Sequence, residues 1–103
     1  MIPTFIGETL ATYGGRFSQA VASGAGTVTL KAAPGRVCRI VVTVGGTVAF
    51  TIFDNASAAS GTVLFTSPTA TSIGTIFDVQ VPAQLGITIS NPASGPGITV
   101  SWD

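Results

Sequence analysis

The segment that decides the fold runs from Pro34 to Asp54 and reads Pro-Gly-Arg-Val-Cys-Arg-Ile-Val-Val-Thr-Val-Gly-Gly-Thr-Val-Ala-Phe-Thr-Ile-Phe-Asp. Two runs rich in β-branched and aromatic residues lie on either side of Gly45 and Gly46, and such residues favour the pleated surface of a sheet. Glycine pairs are typical of tight turns between strands. The segment therefore predicts a β-hairpin whose turn lies at the two glycines.

Two registers of this hairpin fit the sequence, and they place different side chains together. A two-residue loop at Gly45-Gly46 sets Val42 opposite Ala49 and leaves both faces half apolar. A three-residue loop that ends at Thr47 collects apolar side chains on one face, because side chains alternate along a strand. That face then carries Cys38, Ile40, Val42, Val44, Val48, Phe50 and Ile52. We prefer the second register because it gives one strongly apolar face for a core.

The same pattern of a glycine followed by β-forming residues recurs outside the hairpin. Strands are predicted near residues 27–33, 37–44, 48–53, 62–66, 75–81, 86–90 and 97–102. Turn signals such as Ser67-Pro68 and Asn91-Pro92 separate them. Seven to eight short strands with regular turns and no convincing helix predict an all-β fold. The expected architecture is an antiparallel, jelly-roll-like β-sandwich, with a small barrel as the alternative.

The length of 103 residues corresponds to one domain. Residues 26–103 form the predicted sandwich, whereas residues 1–25 are predicted as an irregular N-terminal arm or as first strands folded onto it. In the last strand, Ile98, Val100 and Trp102 share one face. We therefore expect that strand to be an integral part of a sheet.

The small number of charges limits the classes of partner. Only 8% of the residues are charged and the net charge is zero, whereas about a quarter of a typical domain is charged. Zero net charge promotes self-association, which predicts a homo-oligomer or an assembled lattice. Four cations are too few for a phosphate-binding patch, so nucleic acid is not an expected partner. The sequence has no long apolar run, so no membrane-spanning helix and no membrane partner are expected, and it has no signal-peptide pattern, so export by the ordinary secretory route is not expected.

Residues that usually carry catalysis are scarce. The chain has no histidine, the commonest general base and metal ligand. Cys38 lies in an apolar strand, which is typical of a small buried hydrophobic residue rather than a reactive thiol. Asp54 and Asp78 can in principle form a carboxylate pair, but turn capping is the preferred interpretation of each, and Asp54-Asn55 offers too few oxygens for calcium. We expect no enzymatic activity, no cofactor and no metal.

Six residues are the candidate contacts with a partner or with further copies of the chain: Ile2, Phe5, Tyr13, Phe17, Arg36 and Arg39. The first four belong to the N-terminal segment, which is interpreted either as strands that fold onto the body or as an arm that docks on a neighbouring subunit. The two arginines cluster with Lys31 around the turn at Pro34-Gly35. They form either a solvated rim or salt bridges to acidic residues of a partner.

Three stretches carry a resemblance to a known class of proteins. They are Pro-Gly-Arg-Val-Cys-Arg-Ile at 34–40, Phe-Asp-Asn-Ala-Ser-Ala-Ala-Ser-Gly-Thr-Val at 53–63, and residues 86–103, which begin Gly-Ile-Thr-Ile-Ser-Asn and end Gly-Ile-Thr-Val-Ser-Trp-Asp. Together they resemble small β-rich structural proteins of tailed bacteriophages, which decorate or cement the capsid or lie in the neck and tail. The resemblance covers roughly residues 30–103 and includes no catalytic signature.

This resemblance implies a β-sandwich or jelly-roll homotrimer that binds at symmetry sites of the capsid. The expected partners are further copies of the chain and the major capsid protein, in a virion assembled in the host cytoplasm. The first hypothesis is therefore a non-enzymatic decoration or cement protein. The alternative is a tail or fibre module that binds a host receptor or glycan. Such a module is expected to present aromatic side chains in loops, whereas Trp102 and most phenylalanines here lie in predicted strands.

Overall fold

The computed structural model describes residues 14–103 and contains two four-stranded antiparallel sheets. The strands are β1 (Phe17–Val21), β2 (Gly26–Lys31), β3 (Gly35–Val44), β4 (Thr51–Asp54), β5 (Thr62–Thr66), β6 (Ile76–Ala83), β7 (Ile87–Asn91) and β8 (Gly97–Trp102). One sheet has the order β1-β8-β3-β6 and the other β2-β7-β4-β5. The predicted all-β sandwich is confirmed.

The strand order follows a simple nested rule. The first strand pairs with the last, β2 with β7, β3 with β6, and β4 with β5. The chain thus behaves as one long hairpin, with its tip between β4 and β5, that is rolled up into two sheets. This is the arrangement of an eight-stranded jelly roll. Every connection except the one at the tip crosses from one sheet to the other.

The hairpin predicted at Gly45-Gly46 is wrong. β3 pairs with β6 and β8, whereas β4 pairs with β5 and β7 in the opposite sheet. Residues 45–50 therefore cross between the sheets, and β4 begins only at Thr51. The physical reason is that two runs with one apolar face each can bury those faces across a core as well as side by side. The alternation of side chains is the same in both cases.

The predicted apolar face is nevertheless largely correct. Cys38, Ile40, Val42, Phe50 and Ile52 are all buried. Ile40, Val42, Phe50 and Ile52 belong to one core cluster between the sheets instead of lying along one sheet, because β3 and β4 lie in opposite layers.

Two members of that predicted face lie outside the core. The side chains of Val44 and Val48 are exposed at the crossing between β3 and β4. The apolar pattern of the strands thus continues beyond the part of the sandwich that covers it.

The seven predicted strands all occur, with shifts of a few residues at their ends. An additional strand, β1, lies in the segment predicted as an arm or as first strands, and it pairs with β8 without interruption from Phe17↔Trp102 to Val21↔Ile98. β8 therefore lies between β1 and β3. This central position explains why Ile98 and Val100 are fully buried and Trp102 is nearly so.

Three phenylalanines link the two layers of the core. The ring of Phe50, which is fully buried, lies 5.8 Å from the ring of Phe65 on β5 and 6.4 Å from that of Phe77 on β6. Phe65 and Phe77 are themselves 5.2 Å apart. Because β5 and β6 belong to different sheets, this cluster joins the layers. Full burial of one such side chain contributes about 1.5–3 kcal/mol.

Candidate interaction surface

The connections between strands lie alternately at the two ends of the jelly roll, because successive strands run in opposite directions. The connections β1–β2, β3–β4, β5–β6 and β7–β8 lie at one end and comprise residues 22–25, 45–50, 67–75 and 92–96. None of these residues is charged. We call this set of four connections the uncharged end.

All charged residues of the described part lie at the opposite end or in the middle of β3 and β6. They are Arg16, Lys31, Arg36, Arg39, Asp54, Asp78 and Asp103. Within residues 14–103, the fold therefore keeps all charges away from one end of the sandwich, and we call the opposite end the charged end. The four charge-free stretches are visible in the sequence, but only the strand pairing shows that they lie at the same end of the fold.

Backbone hydrogen bonds hold three of the connections at the uncharged end together. Gly46 and Thr71 exchange two bonds, with N···O distances of 3.1 and 3.0 Å. The amides of Thr47 and Val48 both donate to the carbonyl of Ser94, at 2.9 and 3.2 Å. The β3–β4 connection is thus fixed to both the β5–β6 and the β7–β8 connections.

The buried side chain of Asn91 attaches the fourth connection. Its Nδ2 donates to the carbonyls of Ala22 and Pro96, at 2.9 and 2.8 Å. The hydroxyl of Ser23 also donates to the carbonyl of Gly95. The four connections therefore form one bonded surface, and such a surface loses little conformational freedom when it binds.

The close approach of these loops explains why residue 46 is a glycine. A Cβ atom at Gly46 would overlap the backbone of Gly95 and Pro96. Those neighbours are backbone atoms rather than the ends of flexible side chains, so a larger residue there must displace the β7–β8 connection.

Exposed apolar side chains accompany this absence of charge. Ile73 is 72% exposed, Val44 is 55% exposed and Val48 is 38% exposed. Ile76, where β6 begins beside this end, is 61% exposed. Scattered exposed valines are ordinary on a protein surface, but several of them on a rigid end without charges are typical of an interaction site.

The charged end is organised around Asp103. Its carboxylate accepts from Nε of Arg16 at 2.7 Å, and its carbonyl accepts from Nζ of Lys31 at 3.0 Å. Asp103 also exchanges two backbone hydrogen bonds with Arg36. The end of the chain is thereby attached to the turn between β2 and β3.

The candidate contact residues are distributed as follows. The side chain of Arg36 bonds Gln80, and Nε of Arg39 lies 3.7 Å from the carboxylate of Asp78. Phe17 is 52% exposed and its ring stacks on that of Trp102, with 6.1 Å between centroids. The other three, Ile2, Phe5 and Tyr13, lie outside the described residues.

Asp54 stabilises the connection between β6 and β7. Its carboxylate accepts hydrogen bonds from the backbone amides of Gln84 at 3.0 Å, Leu85 at 2.7 Å and Gly86 at 3.3 Å. These bonds, first that from Leu85 and then that from Gln84, hold the pKa of Asp54 below its ordinary value of 3.8. Asp54 thus caps a turn, as predicted, but the turn is the distant β6–β7 connection and not the one that follows Asp54 in the chain.

The lowered pKa predicts a specific loss of stability in acid. A carboxyl group whose folded-state pKa is depressed contributes stability above its unfolded value, and this stability disappears as the pH falls through the folded-state pKa. We expect wild type to be more stable than Asp54→Asn above the ordinary pKa of 3.8, and the difference to vanish below the lowered pKa. Thermal melts of wild type and Asp54→Asn, at pH values above and below 3.8, measure this difference in stability. Asp78→Asn is the control, and an equal effect there would contradict the assignment.

Asp54 and Asp78 do not form a pair along one sheet. Asp54 ends β4, whereas Asp78 lies on β6 in the other sheet and accepts a hydrogen bond from Gln80 at 2.7 Å. Asn55 caps its own turn, because its Oδ1 accepts from the amides of Ser57 and Ala58, both at 2.9 Å. Residues 14–103 contain no group of three or more potential metal-ligating His, Cys, Asp or Glu residues.

Cys38 is fully buried, as predicted, and its thiol lies 3.8 Å from the carbonyl of Arg36. Burial raises the pKa of the thiol above its ordinary value of 9.0, which disfavours the reactive thiolate. We expect the native protein to resist an aromatic disulfide reagent and to react with one equivalent after denaturation. Rapid, complete reaction of the native protein, at the rate of free glutathione, would show that Cys38 is accessible.

Residues 14–103 therefore form a jelly-roll sandwich of eight strands with an uncharged loop end whose connections are hydrogen-bonded to one another. In comparisons with known proteins, no family model, no curated protein and no solved structure matches the chain. Among residues 14–103, no helix is long and apolar enough to cross a membrane.

Proposed function

We propose that the protein is a structural component of a tailed-bacteriophage virion. Specifically, it is a capsid decoration or cement protein that binds across the seams between capsomers. In this proposal it acts as a homotrimer, its other partner is the major capsid protein, and it needs no catalysis and no cofactor. The observation that carries the proposal is the uncharged end, a preorganised surface with exposed apolar side chains on a jelly-roll sandwich.

The physical requirements of a cement protein agree with these features. Such a protein works by burying surface between neighbouring capsomers, and a specific interface of standard size buries about 1,600 Å² in total. Three linked copies can hold a shell through individually weak contacts, because the second and third contacts form at a high effective concentration. A neutral, sparsely charged chain suits repeated close contact between many identical subunits.

The chemistry of the loops favours this proposal over a glycan-binding tail or fibre module. Sugar rings commonly stack on exposed aromatic side chains, which combine an apolar face with polar edges. The four connections of the uncharged end contain a single aromatic residue, Phe50, and its ring is fully buried in the core. Among the residues that the structure describes, those four connections therefore offer no aromatic surface for stacking.

The test is direct binding to phage heads. Purified protein is mixed with heads of the phage that encodes it, prepared without the protein, and the mixture is sedimented and imaged by electron cryomicroscopy. The expected result is co-sedimentation with saturable stoichiometry and added density over capsomer seams. Protein that stays in the supernatant, and is absent from purified virions by mass spectrometry, would contradict the proposal. Binding to host cells instead of heads would favour the tail or fibre alternative.

A further inference from the structure

We propose that the uncharged end is the surface through which copies of this chain contact one another around a symmetry axis. This inference rests on the homo-oligomer of the proposed function and adds which surface forms it. It assigns the contact to residues 22–25, 45–50, 67–75 and 92–96, together with the exposed side chain of Val44. The large hydrophobic side chains exposed on this surface are those of Val44, Val48 and Ile73.

The absence of charge determines the chemistry of the partner. A partner that brought a charged side chain onto this end would bury that charge where no opposite charge can compensate it, and such burial is costly. The matching surface must therefore be uncharged, with apolar side chains and hydroxyl groups. The same end of a second copy meets this requirement, because it carries the same valines, isoleucine, serines and threonines.

The opposite end is unsuited to close contact between copies. Its ion pair, Arg16 with Asp103, is already formed within the chain, as is that of Arg39 with Asp78 in the middle of β3 and β6. Contact between two such ends would remove the water around both sets of charges, which is costly unless each charge gains a new partner. The uncharged end is therefore the one suited to contact with other copies. The charged end remains accessible to solvent or to a charged partner.

The hydrogen bonds between the loops of the uncharged end support the same assignment. Association must otherwise order flexible loops, which costs about 0.5–1.5 kcal/mol for each immobilised side chain. Here the loops are already held together by Asn91 and by the paired amides of Gly46 and Thr71. A weak apolar contact can therefore contribute directly to association.

The experiment compares two matched substitutions on exposed side chains. Ile73→Lys places a charge within the uncharged end, where Ile73 is 72% exposed, and Leu85→Lys places the same charge in the β6–β7 connection at the charged end, where Leu85 is 61% exposed. Light scattering coupled to size-exclusion chromatography measures the mass of each protein over a wide range of concentration. Melting curves establish that both variants are folded, since exposed substitutions change stability by only about 0.5 kcal/mol.

The expected result is an oligomer for wild type and Leu85→Lys, and a dissociation constant at least about tenfold higher for Ile73→Lys. Val44→Lys is a second variant at the same end, and it should weaken association in the same way. A wild-type protein that stays monomeric at the highest concentration would overturn the inference. So would an Ile73→Lys protein with the same association constant as wild type.

Sedimentation of the same variants with phage heads separates this inference from the proposed function. If Ile73→Lys remains oligomeric but no longer binds heads, the uncharged end contacts the shell, so the inference fails and the proposed function stands. If Ile73→Lys dissociates while wild type does not bind heads, the contact between copies stands and the proposed function fails.

Discussion

Removal of residues 100–103 is expected to abolish cooperative folding. The deletion takes away the second half of β8, which lies between β1 and β3 and forms hydrogen-bonded ladders with both. It also removes the buried side chains of Val100 and Trp102. Loss of one large core side chain alone costs about 3–5 kcal/mol, and the whole stability of a domain is about 5–15 kcal/mol. The truncated chain should show neither a cooperative melt nor dispersed amide resonances.

The matched control for this truncation is Asp103→Asn. This substitution keeps the chain length and the strand but removes the ion pair with Arg16, which is partly exposed to solvent. An exposed ion pair contributes little, about 0–1 kcal/mol. The control should melt cooperatively close to wild type. A truncated protein that stays soluble and melts in a single sharp transition would show that β8 is dispensable and that the assigned sheet order is wrong.

Phe50→Ala is expected to lower the free energy of unfolding by about 3–5 kcal/mol. The ring is fully buried and contacts Phe65 in one sheet and Phe77 in the other. Its loss removes apolar burial and leaves a cavity where the layers meet, and rigid layers cannot collapse to fill it. Chemical denaturation followed by circular dichroism gives the difference in unfolding free energy.

Phe17→Ala serves as the control for this substitution. It removes the same side chain from a position that is 52% exposed and where the ring stacks on that of Trp102. Such an aromatic pair contributes about 0.5–1.5 kcal/mol beyond the area it buries. If both variants lose the same free energy, Phe50 does not join the layers as described.

Local patterns predicted the faces of the strands well. Ile98, Val100 and Trp102 point into the core, and Phe77 and Val79 pack against it, as two-residue alternation requires. The burial of Cys38 was also predictable, because it depends on residue type and on immediate neighbours. In these cases the chemistry of a short stretch leaves one favourable arrangement. The turn that Asp54 caps, in contrast, belongs to a distant part of the chain and was not predictable.

The pairing of β3 and β4 was not predictable in the same way. Gly45 and Gly46 have the composition of a hairpin turn, yet they cross from one sheet to the other. A turn residue indicates that the chain changes direction, but it does not indicate which strand becomes the neighbour. That choice depends on β6 and β8, which follow β3 by dozens of residues and provide its hydrogen bonds.

The candidate interaction surface was likewise predictable in its parts but not in its assembly. The sequence contains four charge-free loops and the exposed side chains of Val44, Val48 and Ile73, but nothing in the local pattern shows that these lie together. Only the nested pairing of first strand with last brings them to one end, where Asn91 and Gly46 connect them.

The sequence by itself determined the fold class, the positions of seven strands, the inward face of each apolar run and the scarcity of charge. These properties follow from side-chain alternation and composition, which act over a few residues. The tertiary structure alone decided which strands are neighbours and that β8 is central. It also decided that the four loops of the uncharged end lie together, away from the charges. Those properties depend on hydrogen bonds and packing between segments far apart in the chain. These interactions stabilise the protein only once the whole sandwich is assembled.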